Sequence, residues 1–209
     1  MKKKWIVMIL ILGILVAGIT LWGPIVSDVE QPKYQIISTN KNIEVRQYEP
    51  MIIAQVIVNG DRKSAISDGF RVLADYIFGN NNMSEKIAMT APVTQQNQKI
   101  SMTAPVGQQR QGDSWTVYFV MPAKFTLDTL PIPANNKIQL IEIPAKEFAV
   151  IQFSGRATEN DLTLYEDQLK DYILKEALNT ISEPIYAFYN PPWTLPILRR
   201  NEVMIELAM

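Results

Sequence analysis

The feature that most restricts the fold of this chain is an internal recurrence of the same order of elements. Residues 43–48 alternate apolar and polar side chains, residues 51–58 are more uniformly apolar, and residues 62–78 have an apolar face at helical spacing. The same order returns later in the chain, where an offset of 95 residues places Ile43 on Ile138. The recurrence predicts two related halves, each made of two strands and a helix.

The second half of the chain supplies its own boundary signals. We expect strands at 138–143 and 148–153 and a helix at 161–178, with Thr158 and Asp161 as a capping pair at the helix start. Further strands are predicted at 115–121, 185–189 and 202–207. Both helices have an apolar side to bury, so we predict an α+β domain in which mainly antiparallel strands receive two helices.

The N-terminal segment carries a membrane signal. Residues 5–26 form an uncharged run of 22 residues that follows three lysines, and as a helix they would span about 33 Å. The run is long for a signal peptide and lacks a small-residue cleavage site, so we predict an uncleaved transmembrane helix. The lysines then mark a cytoplasmic tail at 1–4. Residues 27–33 become a linker, and residues 34–209 become a domain on the periplasmic or extracellular side.

Composition removes several classes of function. The 209 residues include no histidine and no cysteine, which excludes disulfides, thiolate metal sites and cysteine nucleophiles, and removes the usual catalytic triads. The net charge is −1, so no global field attracts nucleic acid and we expect no nucleic-acid partner. The chain has no glycine-rich phosphate loop, nucleophile elbow or spaced carboxylate cluster. The sequence therefore indicates a binding protein and not an enzyme.

Two motifs stand apart from the rest of the sequence. KIAMTAPV at 86–93 is followed by KISMTAPV at 99–106, and the full thirteen-residue units differ at three positions. Later, NPPW at 190–193 leads into RRNEV at 199–203, and its prolines fix a loop around a tryptophan. Together with IEVRQY at 43–48, these stretches resemble the SOUL haem-binding family over nearly the whole chain after the linker.

The resemblance implies a pseudo-twofold, barrel-like α+β domain with an antiparallel sheet and two main helices, related to bacterial effector-binding domains. It also implies that haem, a related tetrapyrrole or another flat apolar molecule lies against the first helix. Without histidine and cysteine, iron has at most a Met, Tyr or Lys ligand here. Burial of the macrocycle and pairing of its propionates with Arg or Lys would then hold it.

The first predicted helix carries the candidate contact surface for that ligand. Ala65, Gly69 and Val72 form a strip of small residues, and a glycine costs about 1 kcal/mol relative to alanine inside a helix. Gly69 therefore needs a reason, which is either close packing against the sheet or a flat ligand lying on the helix. Phe70 and Tyr76 are either ligand walls or core residues, and core is the commoner outcome.

Cationic side chains around that helix are candidates to pair with propionates. They are Arg62, Lys63, Arg71 and Lys86. Taken alone, each of these side chains is more often a solvated surface residue than a partner of a propionate. Near the C-terminus, we expect Arg199 and Arg200 to pair with carboxylates such as Glu202 or to stay in solvent, and not to bind phosphate.

Two methionines and one tryptophan complete the candidate set. Met89 and Met102 occupy matching places in the two repeat units. A thioether can ligate haem iron, although methionine more often fills irregular gaps in a core, which is the interpretation we favour. Trp193 either caps the barrel or stacks on a ligand, and capping is the preferred interpretation.

These observations predict a non-enzymatic, membrane-anchored domain that binds haem or a related tetrapyrrole for transport, buffering or sensing. One alternative is a pocket for a different hydrophobic effector. Another is an interaction module at the membrane surface with no small ligand. A hydrolase ranks last, and the sequence leaves the oligomeric state and the physiological ligand open.

Overall fold

The computed structural model describes residues 29–82 and 98–208. This part of the chain contains helices α1 (Arg62–Ile77) and α2 (Glu159–Lys175), together with a 3-10 turn at Pro196–Leu198. The strands in chain order are β1 (Tyr34–Asn40), β2 (Ile43–Tyr48), β3 (Met51–Asn59), β4 (Asn81–Asn82), β5 (Val106–Gln111), β6 (Ser114–Val120), β7 (Ile132–Pro133), β8 (Gln139–Ile143), β9 (Lys146–Phe153), β10 (Ile185–Phe188) and β11 (Asn201–Glu206).

Nine of these strands form one antiparallel sheet in the order β1-β2-β9-β11-β10-β5-β6-β3-β8, and β4 and β7 pair separately. Helix α1 packs on β3 and β6, and α2 packs on β9 and β11. Val106 packs in the core under α1, and Phe188 packs in the core under α2. These two residues are strand partners, so their side chains lie on the same side of the sheet. Both helices therefore cover the same face. The predicted α+β domain with a curled antiparallel sheet and two helices is confirmed.

The two predicted halves interlock in the sheet. Strand β2 of the first half pairs with β9 of the second, and β8 of the second half pairs with β3 of the first. The registers are equivalent, because Val45 pairs with Ala149 while their counterparts at the 95-residue offset, Leu140 and Ala54, pair with each other. The pseudo-twofold relation expected from the sequence is therefore present in the strand pairing.

Both helices begin at capped residues. The Asp61 carboxylate accepts the backbone N–H of Ser64 at 3.1 Å at the start of α1. At the start of α2, the Thr158 hydroxyl accepts the Asp161 N–H, and the Asp161 carboxylate accepts the Thr158 N–H at 2.9 Å. This is a capping box, and the predicted capping pair is confirmed.

Close packing against the sheet explains the glycine in the middle of α1. A Cβ added to Gly69 would lie 2.7 Å from Cγ2 of Val117 and 3.4 Å from Cγ1 of Val56. Val117 is β-branched and fully buried, so it has little room to move. Of the two explanations that the sequence left open, the structure supplies the first.

The second repeat unit contributes directly to the sheet. Ile100 is buried in the core, and the Thr103 hydroxyl donates to the backbone carbonyl of Val120. Gly107 lies beneath the ring of its strand partner Tyr118, where an added Cβ would come within 2.0 Å of Cζ. The first repeat unit has Thr94 at the matching place, which falls outside the described residues. Only the second unit therefore has the residue that this sheet position requires.

A buried ion cluster joins β2 to β11. Glu202 is 0% exposed, and its carboxylate accepts hydrogen bonds from Arg46 at 3.0 Å, Arg200 at 2.7 Å and Tyr189 at 2.8 Å. Arg46 is 1% exposed and also donates to Glu44 at 2.6 Å. Burial opposes the charge on Arg46, but the Glu202 carboxylate helps to outweigh burial and raises the pKa of Arg46. Arg199 and Arg200 were expected to pair with carboxylates such as Glu202 or to stay in solvent: Arg200 does pair with Glu202, whereas Arg199 donates to backbone carbonyls.

The membrane part of the fold prediction requires a correction. Within 29–82 and 98–208, no helix is long and apolar enough to cross a lipid bilayer. The helix predicted at 5–26 lies outside the described residues, as do the tail at 1–4 and the first two residues of the linker at 27–33. The transmembrane anchor and the periplasmic or extracellular location therefore have no structural support, and we withdraw both.

Replacing Gly69 with alanine tests the packing of α1. The added methyl group overpacks the contact with Val117 at a cost of about 1–3 kcal/mol, against a gain in helix propensity of about 1 kcal/mol. We expect Gly69→Ala to lower the free energy of unfolding by about 1 kcal/mol in urea titrations. The control is Ser67→Ala on the exposed side of α1, which should leave stability equal or slightly higher. Equal effects of the two variants would contradict the close packing.

Removing Arg46 tests the buried cluster. Arg46→Met leaves Glu202 with one cation instead of two, and we expect it to lower the free energy of unfolding by about 3 kcal/mol. The matched control is Arg71→Met, because Arg71 pairs with Asp68 on the exposed surface. That change should stay within about 0.5 kcal/mol. A loss below about 1 kcal/mol for Arg46→Met would show that the cluster is dispensable.

Candidate functional site

The helix-covered face of the sheet has a trough along its middle. Strands β10 and β5 lie between the pair of strands under α2 and the pair under α1, and neither helix packs mainly on them. The floor residues are Val106 and Gln108 on β5 with their partners Phe188 and Tyr186 on β10. We call this surface the trough. It is the part of the helix-covered face on which neither helix mainly packs, and α1 lies along one side of it.

Arg62 reaches from α1 across the trough. Its guanidinium donates to Glu159 at 2.6 Å and to Gln108 at 2.9 Å. The guanidinium carbon lies 5.4 Å from the ring centre of Tyr186 and 5.9 Å from that of Phe188. The Nε atom is buried and has no hydrogen-bond partner among the described residues. An unpaired buried donor costs about 1–3 kcal/mol, and an anionic ligand group would satisfy it.

Apolar side chains continue the α1 wall beyond Arg62. Ile66 and Phe70 follow it at helical spacing on the same side of the helix. Phe70 is 39% exposed, and its ring meets that of Phe119 edge-on with 5.3 Å between centroids. Phe119 is the strand partner of Val106 on the trough floor. A cation and an apolar surface therefore lie side by side, which is the combination that a flat ligand with acidic groups requires.

Two further predicted site residues lie on connections at one end of the trough. Because β5 begins at Val106 and β10 ends at its partner Phe188, the chain before β5 and the chain after β10 meet at the same end. Met102 precedes β5 and is 39% exposed. Trp193 follows β10 and is 67% exposed, so it buries little surface as a cap. Arg199 donates to two backbone carbonyls of the loop that carries Trp193.

Other predicted residues do not face the trough. Four of them pack between α1 and the sheet, and these are Ala65, Gly69, Tyr76 and the half-buried Val72. The Tyr76 hydroxyl donates to the carbonyl of Pro131 at 2.7 Å. Lys86 and Met89 lie outside the described residues. The ligand roles given to all these residues stay predictions.

The predicted cationic side chains lie in different places on the structure. Lys63 and Arg71 are exposed, and Arg71 makes a surface pair with Asp68 at 3.1 Å. Of the predicted cations in the part of the chain that the structure describes, Arg62 is the one that enters the trough. It is therefore the candidate with both position and an unpaired donor.

Strand β5, which forms half of the trough floor, was not predicted from the sequence, whereas a strand was predicted at 185–189. Strand β5 reads Val-Gly-Gln-Gln-Arg-Gln, which has neither apolar alternation nor a β-branched run after its first residue. The one available signal was the repeat itself, because a duplicated segment marks a stretch of defined structure. Glu159, which anchors Arg62, was also missed, since its exposed position at the start of α2 gives no sequence signal.

The opposite face of the sheet has a separate, partly open cavity of about 170 Å³. Side chains alternate between the two faces, so that Val117 and Phe119 of β6 face α1 while Tyr118 and Val120 line the cavity. Sites for drug-sized molecules typically enclose about 300–1,000 Å³. The cavity, which we call the inner cavity, is therefore too small for a tetrapyrrole.

Tyrosine is an unsuitable iron ligand in the trough. Burial, followed by the hydrogen bond from its hydroxyl to Glu166 at 2.6 Å, raises the pKa of Tyr186 above its ordinary value. Ligation of iron by Tyr186 would therefore require breaking its bond to Glu166 as well as losing the phenol proton. Met102 is the remaining described thioether near the trough, so a ligand there is held mainly by its apolar faces and acidic groups.

Sequence comparison gives a family match and a related protein. The family described as SOUL heme-binding protein matches residues 29–206. Heme-binding protein 1 of Xenopus laevis is 26% identical over 161 residues, which cover 77% of this chain and 80% of that protein.

Solved structures give the fold alone. The C-terminal domain of EcmrR is similar with a TM-score of 0.58 at 11% identity, over 84% of this chain and 98% of that domain. A hydrolase from Listeria innocua has a TM-score of 0.50 at 12% identity, over 82% of this chain and 94% of that chain. Since the family match extends over nearly all of the described domain, the chain belongs to the SOUL heme-binding protein family.

Proposed function

We propose that this domain binds haem or a related tetrapyrrole in the trough, without a histidine or cysteine ligand. The observation that carries the proposal is the buried Nε donor of Arg62, which has no hydrogen-bond partner among the described residues and belongs to a guanidinium that lies over the Phe188 ring. A propionate accepts from that donor, while the macrocycle covers the apolar floor. Family membership and the similarity to Heme-binding protein 1 support the choice of ligand.

The trough also fits the shape of the ligand better than the inner cavity does. A flat macrocycle needs one broad apolar surface and access for its edge, and the trough provides a floor of two strands beside the α1 wall. Bound haem supplies an iron centre and a visible absorption band that responds to its axial ligands. Arg62 orients the propionate edge, and the half-exposed Phe70 excludes water from one side of the ring system.

The proposed activity is binding and not catalysis. The whole sequence has no histidine or cysteine, and no cluster of three or more acidic side chains within the described residues is arranged to hold a metal ion. Haem held by apolar contact and one or two ion pairs exchanges more readily than haem with a strong axial ligand. Such exchange suits transport, buffering or sensing.

Truncating Phe70 tests the position of the ligand. Phe70→Ala removes part of the α1 wall, and we expect the dissociation constant for haemin to rise by about fivefold or more, corresponding to about 1 kcal/mol of lost apolar contact. The measurement is a haemin titration followed by the Soret band and by tryptophan fluorescence. The control is Phe78→Ala, an exposed phenylalanine at the C-cap of the same helix. If both variants bind haemin like the unmodified chain, the ligand does not lie along this wall.

The role of Arg62 is tested by changing the ligand as well as the protein. We expect Arg62→Gln to weaken haemin binding about tenfold, because a charge-assisted hydrogen bond contributes about 1.5–3 kcal/mol. The same variant should bind haem dimethyl ester, which has no charged propionates, as tightly as the unmodified chain. Arg71→Gln is the matched control on the exposed side of α1. Equal losses for haemin and its dimethyl ester would mean that Arg62 acts only on the structure of the trough.

A further inference from the structure

We propose that the inner cavity is a second binding site, for an uncharged one-ring aromatic molecule that carries a single hydroxyl group. The inner cavity opens on the face of the sheet opposite to the helices, so the site is distinct from the trough. The inference does not depend on haem binding, because no residue that lines the inner cavity belongs to the trough floor or to α1.

The walls of the inner cavity are mainly apolar. They include Ile53 on β3, Val120 on β6, Phe148 on β9, Ile185 on β10 and Met204 on β11. The volume of this partly open cavity is about 170 Å³. An apolar cavity of about 150 Å³ in another protein stays dry and admits a benzene-sized molecule. The inner cavity therefore has the size and lining for one aromatic ring.

Tyr118 contributes a ring with a hydroxyl group to the lining of the inner cavity. Its ring lies against the backbone at Gly107, which has no side chain to displace it. The hydroxyls of Tyr48 and Tyr189 are engaged by Arg46 and Glu202. The hydroxyl of Tyr118 makes no hydrogen bond to the residues described in 29–82 and 98–208. Burial raises the pKa of Tyr118, so the phenol stays protonated and both donates and accepts.

The remaining polar groups of the inner cavity argue against a charged ligand. Lys146 and Glu206 form an ion pair at 2.8 Å, so their charges cancel at the cavity wall. Gln55 donates to Gln139 at 3.0 Å, and Gln109 donates to the backbone carbonyl of Glu183 at 3.0 Å. These bonds occupy the side-chain nitrogens of Gln55 and Gln109, and Tyr118 adds a hydroxyl that can both donate to and accept from a ligand hydroxyl.

The test uses benzyl alcohol and toluene as matched probes, which differ by the hydroxyl group. Both are titrated against the full chain while the methyl resonances of Ile53 and Ile185 are followed by NMR. We expect saturable shifts with both probes. Tyr118→Phe should weaken benzyl alcohol about fivefold, the usual factor for one neutral hydrogen bond, and leave toluene unchanged. Absence of saturable shifts with either probe, or an unchanged affinity of Tyr118→Phe for benzyl alcohol, overturns the proposal.

Two further measurements separate this site from the trough. Val120→Phe fills the inner cavity, and we expect it to abolish binding of both probes while haemin binding is unchanged. If Val120→Phe does not fold, Ile185→Phe serves the same purpose from β10, with the melting temperature as the check on folding. Haemin at saturation should leave the affinity for benzyl alcohol unchanged. Competition between haemin and benzyl alcohol would show one shared site and overturn the assignment of a second one.

Discussion

The carboxylate of Glu202 holds together the part of the sheet on which both faces depend. It is fully buried and is bonded to Arg46 on β2, to Arg200 just before β11 and to Tyr189 just after β10. Strand β9 lies between β2 and β11, so the Arg46–Glu202 pair spans three neighbouring strands. An isolated buried carboxylate would be very costly, and its stability here requires both cations. The cluster therefore fixes β2 and the ends of β10 and β11 relative to one another.

One sheet then separates two different environments. Because successive side chains of a strand face opposite sides, each residue of β5 and β6 belongs either to the helix face or to the inner cavity. Val106 and Gln108 form the trough floor, while Gly107 and Gln109 face inward. The glycine at 107 lets the Tyr118 ring lie flat on β5. The thickness of one sheet thus separates a trough that carries a cation from a small, mainly apolar cavity.

The local elements of this fold were predictable, and their spatial relations were less so. The alternation in 43–48 and the pair Thr158 and Asp161 indicated β2 and the start of α2 correctly, because these signals depend on near neighbours. The 95-residue recurrence indicated the symmetry. It could not indicate that β2 and β3 would pair with strands of the other half, since that pairing depends on how the halves meet.

The candidate site shows the same limit. Arg62 and Phe70 were predicted from their place on the helix, and both lie along the trough. Ala65 and Gly69 were assigned to the same surface because small residues suit either a ligand or a sheet, and the sequence could not say which of the two lies opposite. The partner was decided by the position of Val117, which is far away in the sequence.

Because the chain has no histidine and no cysteine, the geometry of Arg62 becomes the main guide to how a tetrapyrrole is held in the trough. A strong axial ligand would fix haem by its iron, and every tetrapyrrole without the right metal would bind weakly. In the proposed binding mode the main polar anchor would be the Arg62 guanidinium at the propionate edge, and the rest of the contact would be mainly apolar. Recognition through the edge and faces of the ring is indifferent to the metal. The trough should therefore accept metal-free protoporphyrin nearly as well as haemin, a permissiveness that a transport or buffering protein tolerates and a haem enzyme does not.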